Sequence, residues 1–175
     1  MSMYQRVLVP VDGSPTSRKG LAEAIRLALL TGGRLRLVHV VNELFFATGY
    51  EFSTGDVMSV LKEGGEKILS EAKEVVMAAG VGVDTVCRET FGGRLCDIVV
   101  EEATQWNADL IVIGTHGRRG VGRMLIGSDA EQIVRVAPVP VLLVRGSESE
   151  SGAGTTALDD AGKVAVAVGT AAAPA

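Results

Sequence analysis

The chain has 175 residues, which suits one domain on the usual span of about 100 to 200 residues and allows a sizeable core, so a two-domain enzyme is not expected. It is 47% hydrophobic and 22% charged, a composition that excludes a disordered chain, while 4% aromatic residues leave little to stack on nucleic acid. The formal charge of −4 sits mostly in residues 146–175, where Glu148, Glu150, Asp159 and Asp160 face only Lys163.

Membrane insertion is not expected, since no uninterrupted apolar run approaches the roughly 18 residues a spanning helix needs. The opening MSMYQRVLVPVDG has neither a long apolar core nor a signal-cleavage pattern, so a cytoplasmic chain is expected. Cys87 and Cys96 lack His or Cys partners at zinc spacing and read as reduced, partly buried thiols, with no metal site.

In chain order, Val7-Leu8-Val9-Pro10-Val11 is a short apolar run that stops at the turn cluster Asp12-Gly13-Ser14-Pro15, as a buried strand does. Leu21, Ile25, Ala28 and Leu29 recur at helical spacing and Gly32-Gly33 follow as a stop, predicting a helix over 15–31. Arg34 to Val41 reads as a second strand, and strand, helix, strand in this order makes a parallel unit with a right-handed crossover.

Residues 42–56 crowd Phe45, Phe46, Tyr50 and Phe52 without a clean period and are expected to form a loop capping the sheet. From Val57 onward the apolar spacing is helical, although Gly64-Gly65 would cost about 1 kcal/mol each relative to alanine, so a kink or a late start is expected. Val81 to Thr90 reads as a third strand, and Leu95, Ile98, Val99, Ala103 and Trp106 mark a third helix.

Asp109-Leu110-Ile111-Val112-Ile113-Gly114 has the character of a central parallel strand covered on both faces. Ser128-Asp129-Ala130-Glu131 has the capping-box pattern and opens a fourth helix at Ser128. Val139 to Val144 is a fifth strand, with Pro140 near its start as an edge strand tolerates. Residues 146–175 change to a low-complexity composition and are expected to be a disordered tail, although Lys163 to Val168 could form a short strand if it found an edge.

The segment from Gly114 to Ser128, holding Gly117, Gly120, Gly122 and Gly127, lies where an open parallel sheet binds ligands, outside the carboxyl end of a strand. Its glycines allow close backbone approach, the helix opening at Ser128 adds aligned N–H groups, and Arg118, Arg119 and Arg123 are not countered by any acidic residue between Asp109 and Asp129. An anion fits this pattern; the plainer reading is tight turns and a solvated basic face. It is neither a P-loop nor a dinucleotide fingerprint, because no Gly-Lys-Ser/Thr occurs and no Gly-x-Gly-x-x-Gly follows the first strand.

Gly114-x2-Gly117-x9-Gly127-Ser128 resembles the nucleotide motif of the universal stress protein family. VLVPVDGS at the start, LVHVV within and VPVLLVR at the close are similar to that family at the same relative positions, over residues 4–145. The resemblance implies an α/β fold: a three-layer open parallel five-stranded sheet ordered 3-2-1-4-5 with helices on both faces, of the adenine nucleotide alpha hydrolase type. It also implies ATP as ligand. Asp12 with the backbone of Pro10 and Val11 would lie against the adenosine, and Val40 would meet the adenine through its main chain. Gly114, His116, Gly117 and Arg118 would border ribose and phosphates, while Gly127 and Ser128, with the backbone of Asp129 and Ala130, would hold the terminal phosphates.

One departure is Asp129, where many ATP-binding members carry a small apolar residue; a carboxylate facing the γ-phosphate would lower affinity or call for a divalent ion such as Mg2+. Several residues keep a plain reading beside this one. Asp12 could only make an Asx-turn, His39 could be a satisfied core histidine, Ser128 could be a helix cap, and His116 is a lone histidine in a glycine loop.

Taken together, the resemblance implies a cytoplasmic ATP-binding stress-response protein, a dimeric binding or regulatory module pairing through the strand at 139–145. No catalytic residue is assigned, and ATP hydrolysis is expected to be slow or absent. The alternatives are an adenylating or slow ATP-hydrolysing enzyme on the same sheet, and a member that acts through protein contacts without nucleotide. Val11-Asp12-Gly13-Ser14-Pro15 departs from the Ser-Gly-Gly-x-Asp-Ser of adenylating enzymes, and the intact glycine motif disfavours the last. Partners beyond adenine nucleotide and a second copy are not legible; nucleic acid and membrane are not expected.

Overall fold

The computed structural model describes residues 3–42, 54–90, 92–115, 127–145 and a strand at 164–167. In order these form β1 (Arg6–Pro10), α1 (Pro15–Thr31), β2 (Arg34–Asn42), α2 (Thr54–Ala78), β3 (Val83–Thr90), α3 (Leu95–Gln105), β4 (Leu110–Gly114), α4 (Ser128–Val136), β5 (Val141–Val144) and β6 (Val164–Ala167). The sheet order is β3-β2-β1-β4-β5-β6. The first five strands are parallel, the expected 3-2-1-4-5 arrangement, and β6 runs antiparallel to β5.

Strand alternation feeds two cores. Val7 and Val9 meet Leu21, Ala24 and Ile25 of α1 and Leu69 and Val76 of α2 on one face. Leu8 and Val38 meet Val99, Ala103 and Trp106 with Ala130 and Ile133 of α4 on the other. Successive strand residues point to opposite faces, so β1, apolar throughout, must be covered twice.

α1 begins and ends as its sequence predicts. The Ser14 hydroxyl accepts from the Ser17 N–H at 3.1 Å, Pro15 opens the helix, and Gly32 closes it at φ 70°, a conformation glycine takes without steric cost. In α2 the expected late start is absent, and the helix runs unbroken through Gly64 and Gly65. The reason is packing: a Cβ on Gly65 would lie 2.6 Å from His39 Cδ2 and 3.2 Å from Val41 Cγ2. Loss of helix propensity is offset by the close approach of α2 to β2. Residues 43–53, most of the stretch read as a capping loop, lie outside the described residues, and by Thr54 the chain is already helical.

Two further expectations need correction. Ser128 is the first residue of α4 rather than its cap: Gly127 is the N-cap, no side chain caps the helix, and the Glu131 carboxylate instead accepts from Arg135 at 2.7 Å. Secondly, β5 is not an edge strand. Within the segment read as a disordered tail, residues 164–167 pair with it in the register Val141↔Ala167 to Val144↔Val164. The edge was expected to meet a second copy; here it is filled from within the chain.

The amino ends of the strands are held by charge. The Asp109 carboxylate accepts the backbone N–H groups of Gln5 and Arg6 at 2.7 and 3.0 Å. The Trp106 ring lies against the guanidinium groups of Arg6 and Arg36, 4.9 and 4.8 Å from its centroid. Both cysteines are free thiols.

Candidate functional site

The register between β1 and β4 covers Val7↔Leu110 and Leu8↔Ile111, whereas β1 stays paired with β2 to Pro10↔Val38 and β4 with β5 to Gly114↔Val144. Past Leu8 the carboxyl ends of β1 and β4 therefore separate. This is the point where the strand order reverses, because β1 leads to β2 on one side and the chain returns for β4 on the other. Open parallel sheets place their ligand crevice there.

On the β1 side the turn after Pro10 is held by several hydrogen bonds. Val11 N–H donates to Val38 O at 2.8 Å, and Asp12 N–H donates to the Ser17 hydroxyl at 3.2 Å. The Ser14 N–H donates to Asp12 Oδ1 at 2.9 Å, so the Asx-turn reading of Asp12 is realised. Arg18 Nη1 donates to Gly13 O at 2.7 Å, which directs that cation to the turn itself.

Val40 lies two residues beyond the last β1 partner on β2. Its backbone faces β3 through the pairing with Arg88 on one side, and on the other it passes the end of β1. Its side chain packs against the core beneath α3 and α4. The main chain at Val40 thus borders the crevice while its side chain anchors the strand.

On the β4 side, Thr115 is buried, its N–H donates to Val144 O at 2.9 Å, and its carbonyl accepts the Gly127 N–H at 2.6 Å. That bond brings together the two ends of the 116–126 segment. α4 then starts at once, and its first intrahelical bond runs from Glu131 N–H to Gly127 O at 2.9 Å. The N–H groups of Ser128, Asp129 and Ala130 precede it, and the first-turn donors of a helix have no acceptor within the helix. With no side-chain cap on α4, the dipole and these donors suit an anion. Ala130 is buried, whereas Ser128 and Asp129 are exposed.

Of the expected residues, Pro10, Val11, Asp12, Val40, Gly114, Gly127, Ser128, Asp129 and Ala130 all lie at the carboxyl edge of β2, β1 and β4 or at the start of α4. His116, Gly117 and Arg118 lie outside the described residues, with Arg119 and Arg123. Gly114 also has a packing role: a Cβ there would sit 2.5 Å from Thr16 O, so α1 begins directly against the end of β4. Thr115, Ser17 and the His39 contact described below were missed by sequence reasoning. They depend on contacts between distant segments, and no local spacing marks them.

No group of His, Cys, Asp or Glu able to hold a metal occurs among the described residues. No helix among them is long and apolar enough to cross a membrane. What the described crevice offers an anion is backbone donors and a fixed turn, while the exposed Asp129 carboxylate counts against one.

Comparison with known proteins identifies the family. The profile of the universal stress protein family matches residues 3–145. A universal stress protein of Methanocaldococcus jannaschii is 33% identical over 150 residues, spanning 85% of this chain and 86% of that protein. The crystal structure of a family protein from Burkholderia pseudomallei superposes with a TM-score of 0.67 at 31% identity, covering 82% of this chain and 97% of its own. A universal stress protein crystallised in complex with cAMP superposes with a TM-score of 0.56 at 27% identity, covering 82% and 98%. The chain belongs to the universal stress protein family.

Proposed function

We propose that this protein binds an adenine nucleotide, ATP in its full form, in the crevice between β1 and β4 and works as a stress-response regulatory module in the cytoplasm. The observation that carries the reading is the convergence of three backbone features at one sheet edge: the fixed Val11–Asp12 turn, the main chain at Val40, and the α4 N-terminus closed onto Thr115. The first two suit a nucleoside and the third suits its phosphates. The cAMP complex of a relative supports the same ligand class.

The residues described fit the group in part, with Asp129 as the exception. Its exposed carboxylate in the first turn of α4 would repel a terminal phosphate, so Mg2+ held between Asp129 and the phosphates would favour ATP. AMP and cAMP would need no such ion. Hydrolysis is expected to be slow, because fast phosphoryl transfer needs a positioned metal and a group orienting water, and the chain has no Walker lysine. ATP then acts by occupancy. A homodimer through the β5 edge remains part of this reading, with β6 displaced to admit the second copy.

Calorimetric titration of the full chain with ATP, ADP, AMP and cAMP, with and without magnesium, tests the reading. The expected result is one site per chain, with ATP the nucleotide whose affinity rises most with magnesium. No binding by any of the four would overturn it, and turnover of about 1 per second or faster would replace the regulatory module with an enzyme.

A further inference from the structure

We propose that His39 is a positioning residue for the nucleoside end of the crevice, its imidazole holding the Val11 carbonyl so that the Val11–Asp12 main chain is set before ligand arrives. The proposal rests on the nucleotide reading above. His39 is buried in β2, and its Nδ1 is 2.7 Å from Val11 O. A carbonyl only accepts, so Nδ1 carries the proton. Val11 is thereby tied at both of its polar groups, by Val38 O at its N–H and by His39 at its carbonyl. The next N–H, that of Asp12, is tied to Ser17.

The ring cannot swing away from this contact. Behind it stands the backbone of α2 at Gly65, where an added Cβ would meet Cδ2 at 2.6 Å and Nε2 at 3.2 Å. One turn further along α2, Ile68 Cγ1 would lie 3.3 Å from a Cβ on Gly13, which bears on the same turn from the side. α2 therefore fixes the ring and the ring fixes Val11. A main chain ordered in advance spares the ligand the cost of ordering it, and affinity rises by that amount. The glycine within α2 thus also serves the crevice, because any larger residue would drive the ring off Val11.

The test uses full-length variants whose circular dichroism matches the parent. His39→Leu keeps bulk but removes the donor, and leaving Val11 O without its partner should weaken adenosine, AMP and ATP equally, by about tenfold. His39→Asn offers its Nδ2–H where Nδ1–H stood and should stay within about threefold of the parent, since one neutral hydrogen bond is retained. Gly65→Ala should weaken binding in the parent but add little in a His39→Ala background, because the closest clash is then gone and only the 3.2 Å approach to Val41 Cγ2 is left. A loss confined to ATP would place the effect at the phosphates and overturn the proposal, as would a folded His39→Leu variant that bound adenosine as tightly as the parent. A parent that bound none of the three would overturn the nucleotide reading itself, and this proposal with it.

Discussion

Gly114 and Thr16 meet backbone to backbone: a Cβ added at Gly114 would lie 2.5 Å from the Thr16 carbonyl oxygen and 2.7 Å from its carbon. Neither atom can move without shifting the first turn of α1, whose cap at Ser14 and bond from the Asp12 N–H to the Ser17 hydroxyl depend on its position. Gly114→Ala should therefore destabilise the fold by about 1–3 kcal/mol, the cost of overpacking, as measured by chemical denaturation. It should also weaken nucleotide binding through the turn. A variant as stable as the parent would show that α1 retreats freely.

Glu102 is almost fully buried, yet it accepts from Arg36 Nη1 at 2.8 Å and from Arg88 Nη2 at 2.7 Å. Neither cation is fully buried, with side-chain exposures of 22% and 37%, so water can partly replace a lost partner. Glu102→Gln should cost about 1–3 kcal/mol, below the range for a fully buried broken pair. Urea denaturation gives the value; no change would mean that the cluster only balances its own desolvation.

How much of this was legible beforehand depended on how local each signal was. The Ser14-Pro15 start and Gly32 stop of α1, and the aliphatic run of β4, are written in neighbouring residues, and the structure agrees with them. The sheet order and the crevice followed from the family resemblance together with the switch-point rule. The unbroken α2 was not legible, because Gly65 is explained only by His39, which lies on another element. The Ser128 capping pattern misled for a similar reason: the bond from Gly127 to Thr115 sets where α4 starts, and Glu131 had Arg135 available instead. The segment holding β6 reads as a disordered tail, with a strand only if it found an edge, because nothing local in its sequence names β5 as that edge.

Burial raises the pKa of both thiols, with neighbouring carboxylates adding to it: Glu66 and Glu89 at Cys87, Asp97 at Cys96. The thiolate is the reacting form, so a raised pKa lowers reactivity at neutral pH, and reactivity climbs as pH rises towards that value. Alkylation of the folded chain should be slower at pH 7 than that of a free thiol and should accelerate with pH, Cys87 reacting before the more buried Cys96. Rapid labelling of Cys96 at pH 7 would contradict its burial on α3 against Gln132 of α4.

Because β6 occupies the outer edge of β5, pairing of two β5 strands competes with pairing within one chain. Ala165→Pro combined with Val166→Pro must remove at least one N–H directed at β5, since successive residues of a strand point their donors to opposite sides. Light scattering at micromolar concentration should show more dimer for this variant than for the parent. If the parent is already a dimer and the variant leaves it unchanged, the two copies meet elsewhere.

The location of the ligand is the centre of the account, and amide chemical shifts of the full chain titrated with AMP test it most directly. The largest changes should fall on Val11, Asp12, Val40 and the first turn of α4 at Ser128, Asp129 and Ala130, with the His39 ring responding through Val11. A groove of about 270 Å3 between α1 and α2 shares Val11, Gly13 and Ser17 with the β1 turn and is further lined by Leu21, Ile25, Ile68 and Val75. Shifts clustered there, with Val40 and Ser128 to Ala130 unmoved, would contradict the placement of the nucleotide between β1 and β4.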